Sequence, residues 1–249
     1  MRDLYIRRMS LLEPLPRESY LSRLPVVRQL EKGIDFHKQV TFFVGENGSG
    51  KSTLIEALAI SQHFNPEGGT KNFSFSTEDS HSELCNYILA VRGAIYPRDG
   101  FFLRAESFYN VATMEEEYSR GPGGRPMHYH ERSHGESFLA MAQSNFRPGG
   151  LYLLDEPEAA LSPSRQLTLM AEISRCVREG SQFIIATHSP ILLGLPGARI
   201  LSFDDGPVHP CSYEETDSYQ VTELFINHRE QLLYNLLEPS PGGTDETDG

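Results

Sequence analysis

The sequence predicts an α/β fold in which a mainly parallel sheet is flanked by helices. Three mostly apolar segments, 40–44, 151–154 and 182–186, are typical of strands that are buried on both faces. The second and third are joined by a helical pattern, as in a right-handed crossover between parallel strands. With 249 residues, of which 39% are apolar, the chain can fill one large domain or two small ones.

Net charge limits the partners of the chain. The formal charge of −12 argues against broad, sequence-independent binding of nucleic acid, which depends on Lys and Arg neutralising phosphates. Residues 1–40 nevertheless carry eight Lys or Arg against five Asp or Glu, which leaves a local basic patch open. Nucleic acid is therefore a partner that the charge allows but does not indicate.

Cysteine usage and hydropathy predict a cytoplasmic protein. Cys85, Cys176 and Cys211 are odd in number and widely spaced, so neither a disulfide framework nor a zinc site is predicted. No stretch approaches the roughly 18 consecutive apolar residues of a membrane span, and MRDLYIRRMS lacks the apolar core of a signal peptide. We expect no membrane partner.

The segment VTFFVGENGSGKSTLIEALAI, residues 40–60, is an apolar strand followed by G-x-x-x-x-G-K-S and a helical pattern. This is the context of a P-loop, in which backbone N–H groups and a helix N-terminus hold phosphates. Lys51 would reach the β- and γ-phosphates of ATP, and the Ser52 hydroxyl would bind Mg²⁺. A glycine-rich turn that matches by chance is the alternative, which the full context disfavours. The predicted ATP-binding residues of this loop are Gly45, Asn47, Gly48, Ser49, Gly50, Lys51, Ser52 and Thr53.

The second strand, in LYLLDEP at 151–157, ends in two carboxylates. Asp155 is placed to bind Mg²⁺, as in a Walker B strand, and Glu156 is placed to activate the attacking water as a general base. A solvated strand end is the alternative, and the P-loop makes it the weaker interpretation.

The crossover helix is predicted to begin after Ser162, with Pro163 in its first turn, and to end before Gly180. The third strand then delivers Thr187 and His188 to the same carboxyl edge of the sheet. A lone histidine at a strand end is more often structural than catalytic, but this one is expected near the γ-phosphate. The apolar face of the helix is predicted to comprise Leu167, Met170, Ile173 and Val177.

The segment SHGESFLAMA, residues 133–142, opens another amphipathic helix. Ser133 and Glu136, three residues apart, form a capping box before apolar residues at helical spacing. The N–H groups of this helix start can serve a cap alone, or they can bind a phosphate.

GENGSGKS, SHGE, LYLLDEPEAALS and IIATHSP follow the order of the Walker A, signature, Walker B with D-loop, and H-loop motifs of ABC-type ATPases. The chain resembles this family over about residues 40–60 and 130–195. SHGE stands where transporter cassettes have Ser-Gly-Gly-Gln, so the resemblance is greater to the soluble SMC-like branch and its small stand-alone relatives. It implies a P-loop NTPase fold of ABC type with an antiparallel N-terminal β portion and a small helical insert.

The resemblance also implies an ATP-dependent homodimer in which two chains meet head to tail. The helix start at Ser133 and Gly135 would then complete the phosphate site of the partner chain. The D-loop, residues 160–162, would touch that partner, and His188 would be the H-loop residue.

Two features of the family have no clear counterpart in the chain. Gln62 is too close to the P-loop to be the Q-loop glutamine, so Glu106, in a strand predicted over 100–108, is taken as its substitute and as a third Mg²⁺ ligand. The adenine-stacking aromatic is not fixed, because Tyr20 is interpreted as packing on the sheet.

Residues 1–237 are predicted to form a single ATPase domain, in which 61–132 is a variable insert. The insert has no sustained heptads, so no coiled-coil arm is expected. Residues 238–249 carry four acids and no base and are predicted to be a disordered tail.

The histidines near the signature segment are a weaker candidate. His128 and His130 with His134 could bind a metal ion. Loop histidines without Cys or paired acids are usually solvated, and solvation is the preferred interpretation.

Two classes of function remain. In the first, an ATP-hydrolysing enzyme dimerises with nucleotide and thereby controls a separate protein effector, in DNA repair or phage defence. In the second, the chain is the cytoplasmic ATP-binding subunit of an ABC transporter. The SHGE form and the missing Q-loop glutamine favour the first. An ATP-binding switch without turnover is disfavoured by the intact Asp155–Glu156 pair.

Overall fold

The strands of the chain form two sheets; some helices share a core with both sheets, and others cover the opposite face of the larger sheet. The computed structural model describes residues 4–16, 18–71, 82–119, 129, 133–204 and 206–237. The strands are β1 (Ile6–Leu11), β2 (Ile34–Asp35), β3 (Val40–Val44), β4 (Ile88–Arg92), β5 (Asp99–Arg104), β6 (Gly150–Asp155), β7 (Gln182–Ala186), β8 (Arg199–Ser202) and β9 (His209–Cys211). The helices are α1 (Pro25–Lys32), α2 (Lys51–Ser61), α3 (Phe108–Ser119), α4 (His134–Asn145), α5 (Pro163–Arg178), α6 (Pro190–Leu193), α7 (Asp217–Asn227) and α8 (Arg229–Leu237).

The larger sheet has the strand order β5-β6-β7-β3-β8-β9. Its neighbouring strands pair in parallel, except that β9 pairs antiparallel with β8 at one edge. The smaller sheet, β2-β1-β4, is antiparallel throughout. The predicted mainly parallel sheet with an antiparallel N-terminal portion is therefore confirmed.

Strand residues alternate between two cores, as the period of two in an extended chain requires. Phe43, Leu153 and Ile184 belong to a core that includes apolar residues of α1 and α2. Phe42 and Leu154 face the opposite core, which includes apolar residues of α4 and α5. Burial on both faces explains why these strands are continuously apolar, and truncating one such phenylalanine to alanine costs about 3–5 kcal/mol.

The crossover helix α5 has the predicted ends, and three of the four residues predicted on its apolar face pack against the core, Ile173 as a buried residue and Met170 and Val177 as partly buried ones. Ser162 is its N-cap, and Gly180 follows it with φ +97°. Leu167, predicted on the apolar face, is 56% exposed, so that prediction is wrong. The neighbouring Gln166 is buried instead, where it donates to the Leu161 carbonyl and accepts from Ser189. The residues that α5 buries are Gln166, Leu169, Ile173 and Cys176.

The predicted insert, residues 61–132, contributes strands as well as a helix to the fold. It supplies β4 to the smaller sheet and β5 to the edge of the larger one, followed by α3. Because β5 ends at Arg104, the strand is shorter than the predicted 100–108. His128, His130 and residues 238–249 lie outside the described residues.

None of the helices in the described ranges is both long and apolar enough to cross a membrane.

Candidate functional site

The carboxyl ends of β6, β7 and β3 lie side by side in the larger sheet. The segment that begins at Gly45 follows β3, while Asp155 ends β6 opposite Ala186 at the end of β7. Parallel pairing therefore brings the glycine-rich loop, the two carboxylates and His188 to one edge. The sequence predicted this arrangement, because each of these segments follows an apolar strand of a parallel sheet.

Lys51 starts α2 and is held by its own loop. The side chain is buried, and Nζ donates to the carbonyls of Gly45 (2.6 Å) and Glu46 (2.9 Å) and to Ser49 Oγ (3.3 Å). Burial lowers the pKa of Lys51, although carboxylates led by Glu156 oppose the shift. The buried ammonium is thus surrounded by oxygen atoms, which is the setting that a phosphate oxygen can enter.

The loop shape requires a glycine at position 50. Gly50 has φ +94°, and a Cβ there would overlap the Val26 side chain. The start of the loop is fixed by Asp204, whose Oδ1 accepts from the Glu46 N–H at 2.7 Å. Asp204 follows β8 and was not predicted, because no motif links it to a loop 158 residues earlier in the chain.

Asp155 ends β6 as a buried carboxylate, only 6% exposed. Burial raises its pKa to about 6, against the opposing effects of Arg104 and of the Ser52 hydroxyl. Its Oδ1 is buried without a hydrogen-bond partner. A buried anionic oxygen without a donor fits a bound cation, and oxygen atoms are the ligands that Mg²⁺ prefers.

The described residues contain no group of three or more His, Cys, Asp or Glu that could hold a metal ion. A Mg²⁺ site here would use the Ser52 hydroxyl and the Asp155 carboxylate, together with phosphate and water oxygens. That donor set is typical of Mg²⁺ bound with a nucleotide rather than in an all-protein cage.

Glu156 has a strained backbone. Its φ and ψ are both +50°, in the left-handed region that a residue with a Cβ adopts rarely. The N–H of Glu156 donates to the Ala186 carbonyl at 3.0 Å, which holds this conformation. Its Oε1 lies 3.8 Å from His188 Nε2, and that nitrogen is buried without a hydrogen-bond partner. The two predicted catalytic side chains therefore face each other.

Glu158 connects the Walker B segment to the histidine. Its carboxylate accepts from the Thr187 hydroxyl at 2.7 Å and from the His188 N–H at 2.5 Å. Glu158 was not predicted, since DEPE gives no sign of a hydrogen bond to a residue 30 positions later in the chain. This carboxylate fixes the backbone from which the His188 ring projects.

The strand end beside Asp155 carries Arg104 and Glu106. Arg104 Nη1 contacts Glu56 Oε2 at 2.7 Å, and its Nε lies 3.6 Å from Asp155 Oδ2. The Glu106 side chain is 85% exposed and lies 3.5 Å from Arg104 Nη2. Glu106 is therefore at the rim of the site, and its predicted role as a Mg²⁺ ligand stays a prediction.

The start of α4 has the predicted N-cap. The Glu136 carboxylate accepts from the N–H of Ser133 at 3.0 Å and from its hydroxyl at 2.7 Å, and it also contacts Arg165 at 3.0 Å. Gly135 is buried, and a Cβ there would lie 2.9 Å from the Ala160 carbonyl. The signature glycine is thus needed for packing against the D-loop of its own chain, whatever else it binds.

Tyr20 is the one aromatic considered for adenine stacking. It is 58% exposed, and its hydroxyl lies 3.5 Å from Ser82 Oγ. The expectation that it packs on the sheet is wrong, because the neighbouring Leu21 occupies the core instead.

A cavity of about 490 Å³ opens beside the start of the loop. Its lining includes Glu46, Asp204, Glu215 and Asp217. Gly45 and His188 line it as well, so the cavity borders the predicted phosphate site, while its carboxylates disfavour the anionic part of a nucleotide inside it. Lys51 and the first turn of α2 are the predicted place for that part.

The fold, the glycine-rich loop and the paired carboxylates at this edge are together typical of a P-loop ATPase. Two sequence families match the chain: "AAA domain, putative AbiEii toxin, Type IV TA system" over residues 122–194, and "AAA domain" over residues 24–87. With the motifs in this order, these matches support an ABC-type P-loop ATPase.

The curated relatives and solved structures that match the chain have low sequence identity to it. The chain is 22% identical to the uncharacterized ABC transporter ATP-binding protein YcjV of Escherichia coli K12, over 76% of this chain and 56% of that protein. It is 24% identical to ABC transporter E family member 3 of Arabidopsis thaliana, over 60% and 84%. The chain thus spans about half the length of the first of these relatives.

The solved structures include the SMC head domain from Thermotoga maritima, with 17% identity, a TM-score of 0.42 and coverage of 84% of this chain and 99% of that chain. Another is cbiO1 from Clostridium perfringens, described as part of the ABC transporter complex cbiONQ. It has 18% identity, a TM-score of 0.45 and coverage of 83% and 90%.

Proposed function

We propose that the chain binds ATP with Mg²⁺, hydrolyses it to ADP and phosphate, and uses this cycle to form a head-to-tail homodimer that controls a separate protein effector. The observation that carries the proposal is the buried, unpartnered Oδ1 of Asp155, on the same edge as Lys51 and Glu156. A buried carboxylate oxygen without a donor is costly unless a ligand completes it.

Phosphate binding follows from the loop. An ammonium has three donors, and those of Lys51 reach three oxygens of its own loop. The Ser49 contact, at 3.3 Å, is the longest of the three and is the one that a phosphate oxygen can replace most readily. Residues 45–53 supply the surrounding N–H groups and the helix N-terminus.

The cation site follows from Ser52 and Asp155, with Glu106 as a further candidate ligand from the rim. When bound, Mg²⁺ neutralises charge on the phosphate oxygens. The Ser52 hydroxyl lies against the Asp155 carboxyl closely enough to lower the pKa of that carboxyl. The two candidate Mg²⁺ ligands, the Ser52 hydroxyl and the Asp155 carboxylate, therefore lie next to each other.

Hydrolysis is assigned to Glu156 and His188. The Glu156 carboxylate is about half-exposed and can orient and deprotonate a water molecule. His188 lies within 3.8 Å of it and is aligned by Glu158, so its ring can contact the phosphate end. The strained backbone of Glu156 supports a functional role, since strain of this kind persists where the site requires it.

Dimerisation is assigned to the start of α4. Ser133 and Glu136 are exposed, so a second molecule can reach this helix start. The D-loop packs against Gly135, which would let both segments meet a partner together. The control of an effector in DNA repair or phage defence is inferred from the resemblance of the chain to SMC-like ATPases.

A second candidate function is the ATP-binding subunit of an ABC transporter. The name of the Escherichia coli relative favours it, since YcjV is described as an ABC transporter ATP-binding protein. In that case the effector is a permease in the membrane, and the homodimer forms beneath it.

The test combines turnover with assembly. Wild-type protein should release phosphate from ATP with Mg²⁺ and not with EDTA. The variant Glu156→Gln, loaded with ATP and Mg²⁺, should elute as a dimer in light scattering, and should capture a soluble protein in a pull-down. Capture of a membrane permease would favour the transporter function, and absence of Mg²⁺-dependent turnover would contradict the proposal.

A further inference from the structure

The carboxyl end of β5 places an arginine against the predicted Mg²⁺ ligand. Arg104 is the register partner of Asp155 on the neighbouring strand, and its Nε lies 3.6 Å from Asp155 Oδ2. The Arg104 side chain is 19% exposed. Arg104 Nε and Asp155 Oδ1 are both buried without a hydrogen-bond partner. An unpaired donor and an unpaired acceptor thus lie on adjacent side chains at the phosphate edge.

The far side of the guanidinium is fixed by Glu56. This residue lies on α2, is 8% exposed, and accepts from Arg104 Nη1 at 2.7 Å through Oε2. Its other oxygen accepts from the Ser82 N–H at 2.9 Å. Because Glu56 is buried and held from two sides, it directs the remaining edge of the guanidinium towards Asp155.

Unmade hydrogen bonds of buried groups cost about 1–3 kcal/mol each. The separation of 3.6 Å between Arg104 Nε and Asp155 Oδ2 is just beyond hydrogen-bond length, so a small shift forms the bond. Oδ2 would then be occupied by a protein donor, and Oδ1 would be left for a cation. Mutating a residue that holds a metal ligand in this way typically costs about 10- to 100-fold in metal affinity.

We propose that Arg104 is a positioning residue of the Mg²⁺ site, which holds Asp155 through Oδ2 while Glu56 anchors its guanidinium. The inference rests on the proposed Mg²⁺-ATP function. It differs from the predicted role of Glu106, because Arg104 acts through another side chain and does not bind the cation itself. It also differs from simple charge neutralisation, since the planar guanidinium must reach Glu56 and Asp155 together, which a lysine cannot do.

The experiment measures binding of the non-hydrolysable ATP analogue AMPPNP by calorimetry, with Mg²⁺ and with EDTA. The main variant is Arg104→Met combined with Glu56→Gln, since the amide oxygen of Gln can still accept from the Ser82 N–H and position 56 is not left with an unpaired buried charge. The ratio of the two affinities, with Mg²⁺ over EDTA, should fall about 10- to 100-fold relative to wild type. The affinity in EDTA should stay unchanged, and Arg104→Lys should not restore the ratio.

The matched control is Arg8→Met. Arg8 forms an Arg–carboxylate contact of 2.8 Å with Asp35 in the smaller sheet, so its loss should leave the ratio unchanged. If the double variant fails to fold, Glu56→Gln alone keeps the guanidinium but loosens its anchor, and should lower the ratio in the same direction.

Three outcomes would overturn the inference. An equal loss of affinity with Mg²⁺ and with EDTA would reduce Arg104 to a structural support, and an unchanged ratio would leave it no role. A wild-type protein that binds AMPPNP without any gain from Mg²⁺ would contradict the proposed function itself, which separates that failure from the other two.

Discussion

Two helix starts in this chain are predicted to bind phosphate, and they are built differently. The start of α2 follows Gly50, which offers no side-chain cap, and Lys51 there is only 4% exposed. The start of α4 follows Ser133, whose N–H and hydroxyl both bond to Glu136. Ser133 and Glu136 are exposed to solvent.

The difference lies in how each helix dipole is balanced. The first turn of α2 contains no acidic residue, whereas that of α4 contains Glu136. An acid near a helix N-terminus stabilises it by about 0.3–1 kcal/mol and reduces the need for another anion. We therefore expect the α2 start to bind an anion within its own chain, and the α4 start, which is capped by its own side chains, to bind a phosphate only when another molecule brings it.

Lys51→Ala tests the first half of this comparison and should have the largest effect. The variant should lose ATP binding, because the phosphate groups lose the one ammonium in the loop. Calorimetry with Mg²⁺ and ATP measures this directly. Lys38→Ala, which removes an exposed lysine just before β3, is the matched control and should bind normally. Normal affinity in Lys51→Ala would remove the phosphate site from the α2 start.

Glu156→Gln should separate binding from hydrolysis at the same edge. The variant keeps Asp155 and the loop, so ATP affinity should stay unchanged. Turnover should fall about 10²- to 10⁴-fold, because the group that takes the proton from water is lost. Phosphate release checks the result, with Glu117→Gln, an exposed acid on α3, as the control. Near wild-type turnover would assign the base elsewhere, with His188 or Glu106 next.

Asp155→Asn tests how much stability the protein loses by keeping a buried charge at the end of β6, beside the start of α2. The pKa of Asp155 is raised to about 6 from 3.8, so the native state binds the proton more tightly than the unfolded state. Stability is therefore lost as pH rises from 3.8 through about 6, and the full cost, about 3 kcal/mol, is present above that range. In EDTA at pH 7 the variant should need more urea to unfold, and the difference should vanish near pH 3. Equal stability at pH 7 would contradict the assigned cost.

The sequence predicted the parts of this edge that are close together in the chain. The loop from Gly45 to Ser52 and the Asp155–Glu156 pair are contiguous, and the period of the strands placed them on one sheet edge. Glu158 and Asp204 were not predicted because their hydrogen bonds join segments far apart in the chain, and only the structure shows that these segments are neighbours.

The sequence also predicted less well which face of a helix is buried, and α5 is an example. Its ends are marked by local signals at Ser162 and Gly180, and they were predicted. Its buried face includes Gln166, a polar residue that can be buried because its amide group is hydrogen-bonded to Leu161 and Ser189. Apolar periodicity alone therefore selected Leu167, which is exposed.

Ser133→Arg tests the second half of the comparison and should have the smallest effect within one chain. Ser133 is exposed and bonds only locally to Glu136, so the substitution should cost about 1 kcal/mol of stability. ATP binding by the monomer should be unchanged, since that site lies at α2. If the α4 start completes a partner's site, the bulky side chain should nevertheless block ATP-dependent dimerisation in light scattering.

Mixing Ser133→Arg with Lys51→Ala protein decides between a cap and a shared site. In a head-to-tail dimer of the two, one composite site joins the intact loop of the first variant to the intact α4 start of the second. The other site carries both defects. The mixture should therefore form an ATP-dependent dimer that neither variant forms alone, with at most partial turnover. If wild type dimerises under the same conditions and the mixture does not, the α4 start is only a cap, and the two helix starts differ in function as well as in charge.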